Sequence, residues 1–276
     1  MIIATNTFGL TKEFEADLTG TIRKLHGIGF TGIEPLVLFQ EKQGSMTKSL
    51  WAQDTLKTAW ETMQELGMSI PSVHLGVGFG WMTMPARMVI QGILKVHDAY
   101  GIDKFIISAP FGSAPLALRW AAFARSIDKA IRPHGCTLIY HNHDDEFHAL
   151  KKNTGRTNMD LFLDHAGPDV MMQIDIGWAG LAGDEREIVK RYADRVVLLH
   201  LKDFYARYRT GYTRKNMPPE AFSPIGAGAI HTKEVLQMIP ELPHYADAVV
   251  IDQDKYQGDM LESLEVGLKN IREMLK

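Results

Sequence analysis

Residues 196–203 read VVLLHLKD, and three other stretches share their pattern: LIYHNH at 138–143, MMQIDIGW at 171–178 and AVVIDQD at 248–254. Each is a run of apolar β-formers that ends in a histidine or an aspartate. The runs are near-continuous rather than alternating, which marks strands buried on both faces. A barrel of parallel strands delivers all its C-terminal strand ends to one rim, so polar residues far apart in sequence converge there. His141, Asp175, His200 and Asp252 are therefore candidate ligands of one metal ion at a barrel mouth, imidazole and carboxylate being good donors to divalent ions.

Outward from these four strands, strand-like and helix-like segments alternate along the chain. IIATNTF (2–8) precedes a helix over Thr11–His26, where Leu18, Ile22 and Leu25 recur at helical spacing and Gly27 and Gly29 stop it. GIEPLVL (32–38) leads to a helix over Leu50–Leu66, SIPSVHLG (69–76) to one over Pro85–Tyr100, and DKFIISAP (103–110) to one over Pro115–Arg132. The four strands quoted first are followed by helices over Met159–His165, Asp184–Ala193, Thr232–Ile239 and Met260–Leu275. Eight β/α units in 276 residues predict an α/β fold, a (β/α)8 TIM barrel forming a single domain over 1–276. An open doubly wound sheet would want a G-x-G-x-x-G turn after an early strand; GVGFGW (76–81) has the wrong spacing and follows the third.

Composition narrows the function classes. With 45% hydrophobic and 23% charged residues the chain is ordinary globular material, and a net charge of −3 provides no field to draw in nucleic acid or an anionic membrane. The single cysteine, Cys136, has no partner for an intramolecular disulfide and sits at the start of an apolar strand, where a buried small hydrophobe is expected. The N-terminus MIIATNTFGL lacks the basic stretch and apolar core of a signal peptide, so a cytoplasmic location is expected.

Around the four ligands stand the candidates for chemistry. Residues two apart on a strand share a face, which aims His143 the same way as His141 and Lys202 the same way as His200. His143 and Glu34 are candidate bases, Glu34 because the following proline holds it extended at a strand end. Lys202 is placed to hold or polarise a substrate oxygen. His74, Trp178 and Phe79 are candidate substrate contacts, a hydrogen bond from the first and apolar walls from the others. Plainer readings stand beside these: a hydrogen-bonding histidine behind the ligands, a salt-bridged Glu34, a Lys202 paired with Asp203, and aromatics that only pack. Glu146 reads as a loop anchor.

GIEP at 32–35, His74, YHNHDDEF at 140–147, D-x-x-W at 175–178, HLKD at 200–203, SPIGAG at 223–228 and the terminal IDQD, taken in order, resemble the sugar phosphate isomerase/epimerase superfamily of xylose-isomerase-like barrels, in its YHNH-type branch. The resemblance covers essentially the whole chain. It implies a divalent metal among four ligands from strands five to eight, commonly Glu, Asp, His and Glu. By position Asp175 and His200 match directly, while His141 and Asp252 stand where the glutamates would be. Because those glutamates also shuttle the proton in many members, the resemblance does not by itself imply the symmetric two-base mechanism here, although a histidine at 141 and an aspartate at 252 can still ligate.

The expected function is a divalent-metal-dependent isomerase or epimerase acting on a sugar or keto-sugar through an enediolate. The alternative is a lyase that eliminates a β-substituent from a keto-sugar or cyclitol at the same site. Manganese is the expected ion, with magnesium, cobalt or zinc as alternatives. The expected partner is a small carbohydrate, with no nucleic acid and no membrane, and a homo-oligomer follows only from how common such assemblies are. Two further readings are an AP-endonuclease-like phosphodiesterase, which wants another ligand where Trp178 stands, and a non-catalytic partner subunit, suggested by the two missing glutamates. The long stretch FYARYRTGYTRKNMPPEAF (204–222) belongs to the same rim and reads as a lid, a subunit contact or a solvated loop. SPIGAG resembles a phosphate-side turn, but Ala227 replaces the usual Glu and no lysine follows, so its phosphate signal is weak.

Overall fold

Pro35 decides how the sheet closes. In the computed structural model, which describes residues 1–38, 51–79, 82–150 and 155–276 but not the side chains of 78, 79, 82 and 83, the second strand β2 is split by this proline into Gly32–Glu34 and Leu36–Val37. The first half pairs in parallel with β1 (Ile2–Asn6) and the second with β3 (Val73–Leu75), because proline has no N–H to continue either ladder. The remaining strands are β4 (Lys104–Ile107), β5 (Thr137–His141), β6 (Met171–Asp175), β7 (Val196–Leu201) and β8 (Ala248–Ile251), each parallel to its sequence neighbour, with β8 returning to β1. The ring is thus an eight-stranded (β/α)8 barrel, as the strand pattern predicts.

Ten α-helices among the described residues form the outer layer: α1 (Thr11–Ala16), α2 (Leu18–Ile28), α3 (Gln53–Glu65), α4 (Ala86–Tyr100), α5 (Ala114–Ile131), α6 (Asn158–Ala166), α7 (Ile176–Ala182), α8 (Glu185–Arg191), α9 (Thr232–Gln237) and α10 (Met260–Met274). The single helix expected over Thr11–His26 is two, because Asp17 leaves the helical region and caps α2 by accepting the Gly20 N–H. The predicted start of the next helix at Leu50 lies outside the described residues. The helix α7 was not expected: Asp175 caps it directly off β6 by accepting the Trp178 N–H at 2.9 Å.

Strand alternation sorts the core into two parts. Outward positions such as Phe105, Ile107, Leu138, Tyr140, Met172 and Ile174 pack against the helices in the main apolar cluster. Inward positions form a separate small cluster of Ile106, Ile139, Val197, Leu198 and Ala248, and toward the C-terminal ends the same face turns polar with Glu34, His74, His141, Gln173, Asp175 and His200. Cys136 is 2% exposed and burial pushes its thiol up to about 11, so alkylating reagent is expected to leave the native protein unmodified and to label it once unfolded. Mass spectrometry of iodoacetamide-treated samples checks this; prompt native labelling would contradict it.

The 204–222 stretch is tied to the barrel at several points. Asp203–Phe204 pairs antiparallel with Phe222–Ser223, closing the stretch at its base. Farther out, Arg214 Nη2 at 3.3 Å and Lys215 Nζ at 3.1 Å reach Asp145 beyond β5, and Lys255 beyond β8 donates to the Met217 carbonyl at 3.4 Å. These ties draw it back toward the ends of β5 and β8. No helix among the described residues is long and apolar enough to cross a membrane.

Candidate metal centre

The ends of three adjacent strands and the residue just past a fourth set the centre: β5 stops at His141, β6 at Asp175, His200 is the penultimate residue of β7, and Asp252 follows β8. Register aligns His200 with Asp175 across β6 and β7. Asn142 then staples β5 to β6, accepting the Asp175 N–H at 3.0 Å and donating Nδ2 to the Asp175 carbonyl at 3.2 Å. As a result, one donor atom from each of His141, Asp175, His200 and Asp252 lies within 4.8 Å of the others, and all four side chains are buried. Donor bonds of about 2.0–2.3 Å to one ion require spacings close to these.

The hydrogen bonds behind the two imidazoles fix which nitrogen faces the cluster. Glu34, fully buried, takes four donors: Asn6 Nδ2 at 2.8 Å and His200 Nε2 at 2.8 Å on Oε1, Ser72 Oγ at 2.6 Å and Gln173 Nε2 at 2.7 Å on Oε2. With Nε2–H donated to Glu34, His200 presents Nδ1 to the cluster, 3.1 Å from Asp252 Oδ2. Gln173, its amide held by Glu34, offers Oε1 to His141 Nδ1 at 3.0 Å, so His141 presents a bare Nε2, 4.0 Å from Asp175 Oδ2. One carboxylate thereby orients both histidines. Burial, then the neighbouring His200 and His74, hold the His141 pKa well below its usual value, and neutral imidazole is the form that binds metal.

Charge points the same way. Four buried or nearly buried carboxylates, Glu34, Asp175, Asp252 and Asp254, face Lys202 and His200. Lys202 is 1% exposed; its Nζ stands 3.0 Å from Oδ2 of each of Asp175, Asp252 and Asp254 and 4.5 Å from the Trp178 ring centroid. Asp175 Oδ2 is ion-paired with Lys202 but, unlike Asp252 and Asp254, accepts no well-aligned hydrogen bond from it. Burial and Asp252 raise the Asp175 pKa although Lys202 pulls it down. Burial would lower the pKa of His200, yet Glu34 and Asp252 raise it to about 10, so a proton shared toward Asp252 occupies the Nδ1 side until a cation replaces it. A buried carboxylate oxygen with no hydrogen bond, an oriented bare imidazole nitrogen and more carboxylates than cations in a dry site fit a divalent cation.

The structure brings the other sequence candidates to the same place in different roles. His143 is partly exposed at 16%, its ring 5.3 Å from that of His141, its Nδ1 without a hydrogen bond and 3.7 Å from Glu146 Oε1. Glu146 accepts from Tyr140 Oη at 2.8 Å and from the His143 N–H at 3.1 Å, so it anchors the turn and stands behind the imidazole. His74 lies beside the cluster, its ring 5.1 Å from that of His141, with Nε2 3.0 Å from Ser108 Oγ and Nδ1 3.6 Å from Glu34 Oε1. Trp178, 3% exposed, is covered by Lys202 and packed against Phe204 at 5.2 Å, which leaves it supporting the mouth rather than lining it. The Phe79 side chain lies outside the described residues. Gln173, Asn142 and Asp254 escaped the sequence reading; Gln173 and Asp254 sit two residues from Asp175 and Asp252, a same-face spacing that could have marked them.

A closed parallel barrel whose C-terminal rim holds a buried cage of two histidines and two aspartates defines a class: TIM barrels with a cluster that can bind a divalent metal at the mouth. A family model described as xylose isomerase-like TIM barrel matches residues 22–274, and the chain belongs to that family. No curated protein matches it. Among solved structures it is similar to a sugar phosphate isomerase/epimerase from Parabacteroides distasonis, at 18% identity and TM-score 0.73 over 98% of this chain and 95% of that one. It is also similar to a Bacillus anthracis protein named as a probable 3-DHS dehydratase involved in petrobactin synthesis, at 11% identity and TM-score 0.69 over 99% of both. A third likeness is a xylose isomerase-like TIM barrel protein from Mycobacterium smegmatis in complex with magnesium, at 12% identity and TM-score 0.67 over 99% and 96%. At these identities the likenesses show the fold.

Proposed function

We propose that the chain is a divalent-metal-dependent isomerase or epimerase that moves a proton on the carbon beside the carbonyl of a sugar or keto-sugar. The observation that carries this reading is the convergence of His141, Asp175, His200 and Asp252 with both imidazoles oriented from behind by Glu34 and Gln173. These four would hold the ion, manganese first and magnesium, cobalt or zinc after it; when bound, it supplies a positive charge that stabilises oxygen anion as the proton leaves.

The proton itself falls to His143. It is the partly exposed imidazole beside the cage, and its Nδ1, which makes no hydrogen bond, stands 3.7 Å from the buried Glu146 carboxylate that backs the ring. Glu34 does not fit a base: all its acceptor positions are taken by donors and it is fully buried. Lys202 fits a fixed cation that holds Asp252 and Asp254 in place at the mouth. A base on the β5 side and none from Glu34 makes the site unsymmetrical, which suits β-elimination as well as isomerisation, so a lyase is the second reading.

Proton NMR in deuterated water, with each ion in turn and a panel of keto-sugars, tests both. Loss of one carbon-bound proton signal, dependent on ion and absent in His143→Ala, is the expected result. An isomer as product supports the first reading and a dehydrated product the second. Stoichiometric ion with no exchange from any keto-sugar would overturn both.

A further inference from the structure

Asp203 follows Lys202 directly, yet its carboxylate lies outside the ion cluster. The side chain is 1% exposed and accepts four backbone amides: Phe204 N at 2.9 Å and Ile230 N at 3.0 Å on Oδ1, Gly226 N at 2.9 Å and Gly228 N at 3.0 Å on Oδ2. Three of these belong to the turn after β7. That turn is shaped around the carboxylate. Gly226 takes φ +80, and a Cβ on Gly228 would stand 2.2 Å from Asp203 Oδ1 and 2.5 Å from the Phe204 carbonyl, so only glycine lets the backbone approach this closely.

Converging backbone N–H groups in the loop after strand seven are what TIM barrels use to hold a substrate phosphate. Here an internal carboxylate already takes those bonds. We propose that Asp203 is a built-in anion occupying the barrel's phosphate cradle, and that the substrate is accordingly a sugar or keto-sugar without a phosphate ester at that end. The substrate half of this rests on the function proposed above; the filled cradle does not. Rim cations agree: Arg209 is turned onto Glu185 at 2.5 Å, and Arg214 and Lys215 onto Asp145, so these three are already matched to acids of the protein itself.

Inorganic phosphate is the probe, followed on the amide resonances of Gly226, Gly228 and Ile230 and by thermal midpoint, with chloride at matched ionic strength as control. Wild-type protein is expected to show no saturable movement of those resonances and no stabilisation up to about 20 mM phosphate. Asp203→Ser empties the cradle, and phosphate is expected to bind there and raise the midpoint by ~3 °C or more. Saturable binding to those amides in the wild type, or a folded Asp203→Ser that gains no phosphate binding, overturns the proposal. Should Asp203→Ser not fold, the wild-type titration decides alone. It needs neither ion nor turnover, so it separates this inference from the proposed function; a phosphorylated keto-sugar processed faster than its free counterpart would overturn the substrate half only.

Discussion

Asp175→Asn is expected to abolish stoichiometric ion binding and to lower ion-dependent turnover by ~10³-fold or more, while leaving the ion-free fold intact. Removing an anionic ligand from a four-ligand cage forfeits both a bond and the charge that offsets the ion's desolvation, worth several kcal/mol of transition-state stabilisation. The fold survives because Asn keeps the oxygen that caps α7 through the Trp178 N–H, and because Lys202 retains Asp252 and Asp254. The direction of the Asp175 pKa sharpens the expectation. A carboxyl raised by burial and by Asp252 stabilises the fold only while protonated, and that contribution is lost as pH rises through the raised folded value. Near neutral pH, well above the ordinary carboxyl value, the raised pKa therefore costs stability, so the ion-free variant should melt no lower than the ion-free wild type. Added manganese should raise the melting midpoint of the wild type alone. Elemental analysis and paired melting curves check this; a variant that still carries one ion per chain would remove Asp175 from the ligand set.

The barrel was legible because its strands are written in an unusually plain way. Near-continuous apolar runs closed by one polar residue leave little choice of sheet, and the rim geometry then forces those residues together. Local chemistry hid the rest. One aspartate, Asp17, divides an otherwise periodic helix into α1 and α2 because its side chain captures a backbone amide, and Asp175 starts α7 by the same means while also facing the cage. Hydrophobic period alone reports neither.

The candidate site was legible in its residues and less so in its wiring. Lys202 reads from the sequence as a group to hold a substrate oxygen, with pairing to Asp203 as the plainer alternative; that pairing does not form, because adjacent residues on a strand point to opposite faces, and Lys202 pairs instead with Asp175, Asp252 and Asp254. Glu34 looked like a base because it ends a strand beside the mouth. What the chain could not reveal is that donors from β1, β3's approach, β6 and β7 saturate it: Asn6, Ser72, Gln173 and His200 come from four places in the sequence.

That saturation makes Glu34→Gln the second informative substitution. All four partners of Glu34 are donors, and the variant replaces one acceptor oxygen with an NH₂ group. If the new amide faces Gln173, that side chain must flip, which turns its NH₂ toward His141 Nδ1 and forces the proton onto the nitrogen that faces the cage. If it faces His200 instead, Nε2 can no longer donate and must accept, so the proton on the Nδ1 side is the one His200 keeps. Either arrangement spoils one histidine ligand. Ion affinity is expected to fall ~10–100-fold, the scale seen when groups behind metal ligands are altered, with a stability cost of about 1–3 kcal/mol for the mismatched buried pair. Ion titration by calorimetry and turnover as a function of ion concentration separate positioning from proton transfer. A positioning residue gives back most of its activity when the ion is saturating, whereas a base does not; activity that stays lost at full ion occupancy would return Glu34 to the role its strand-end position first suggested.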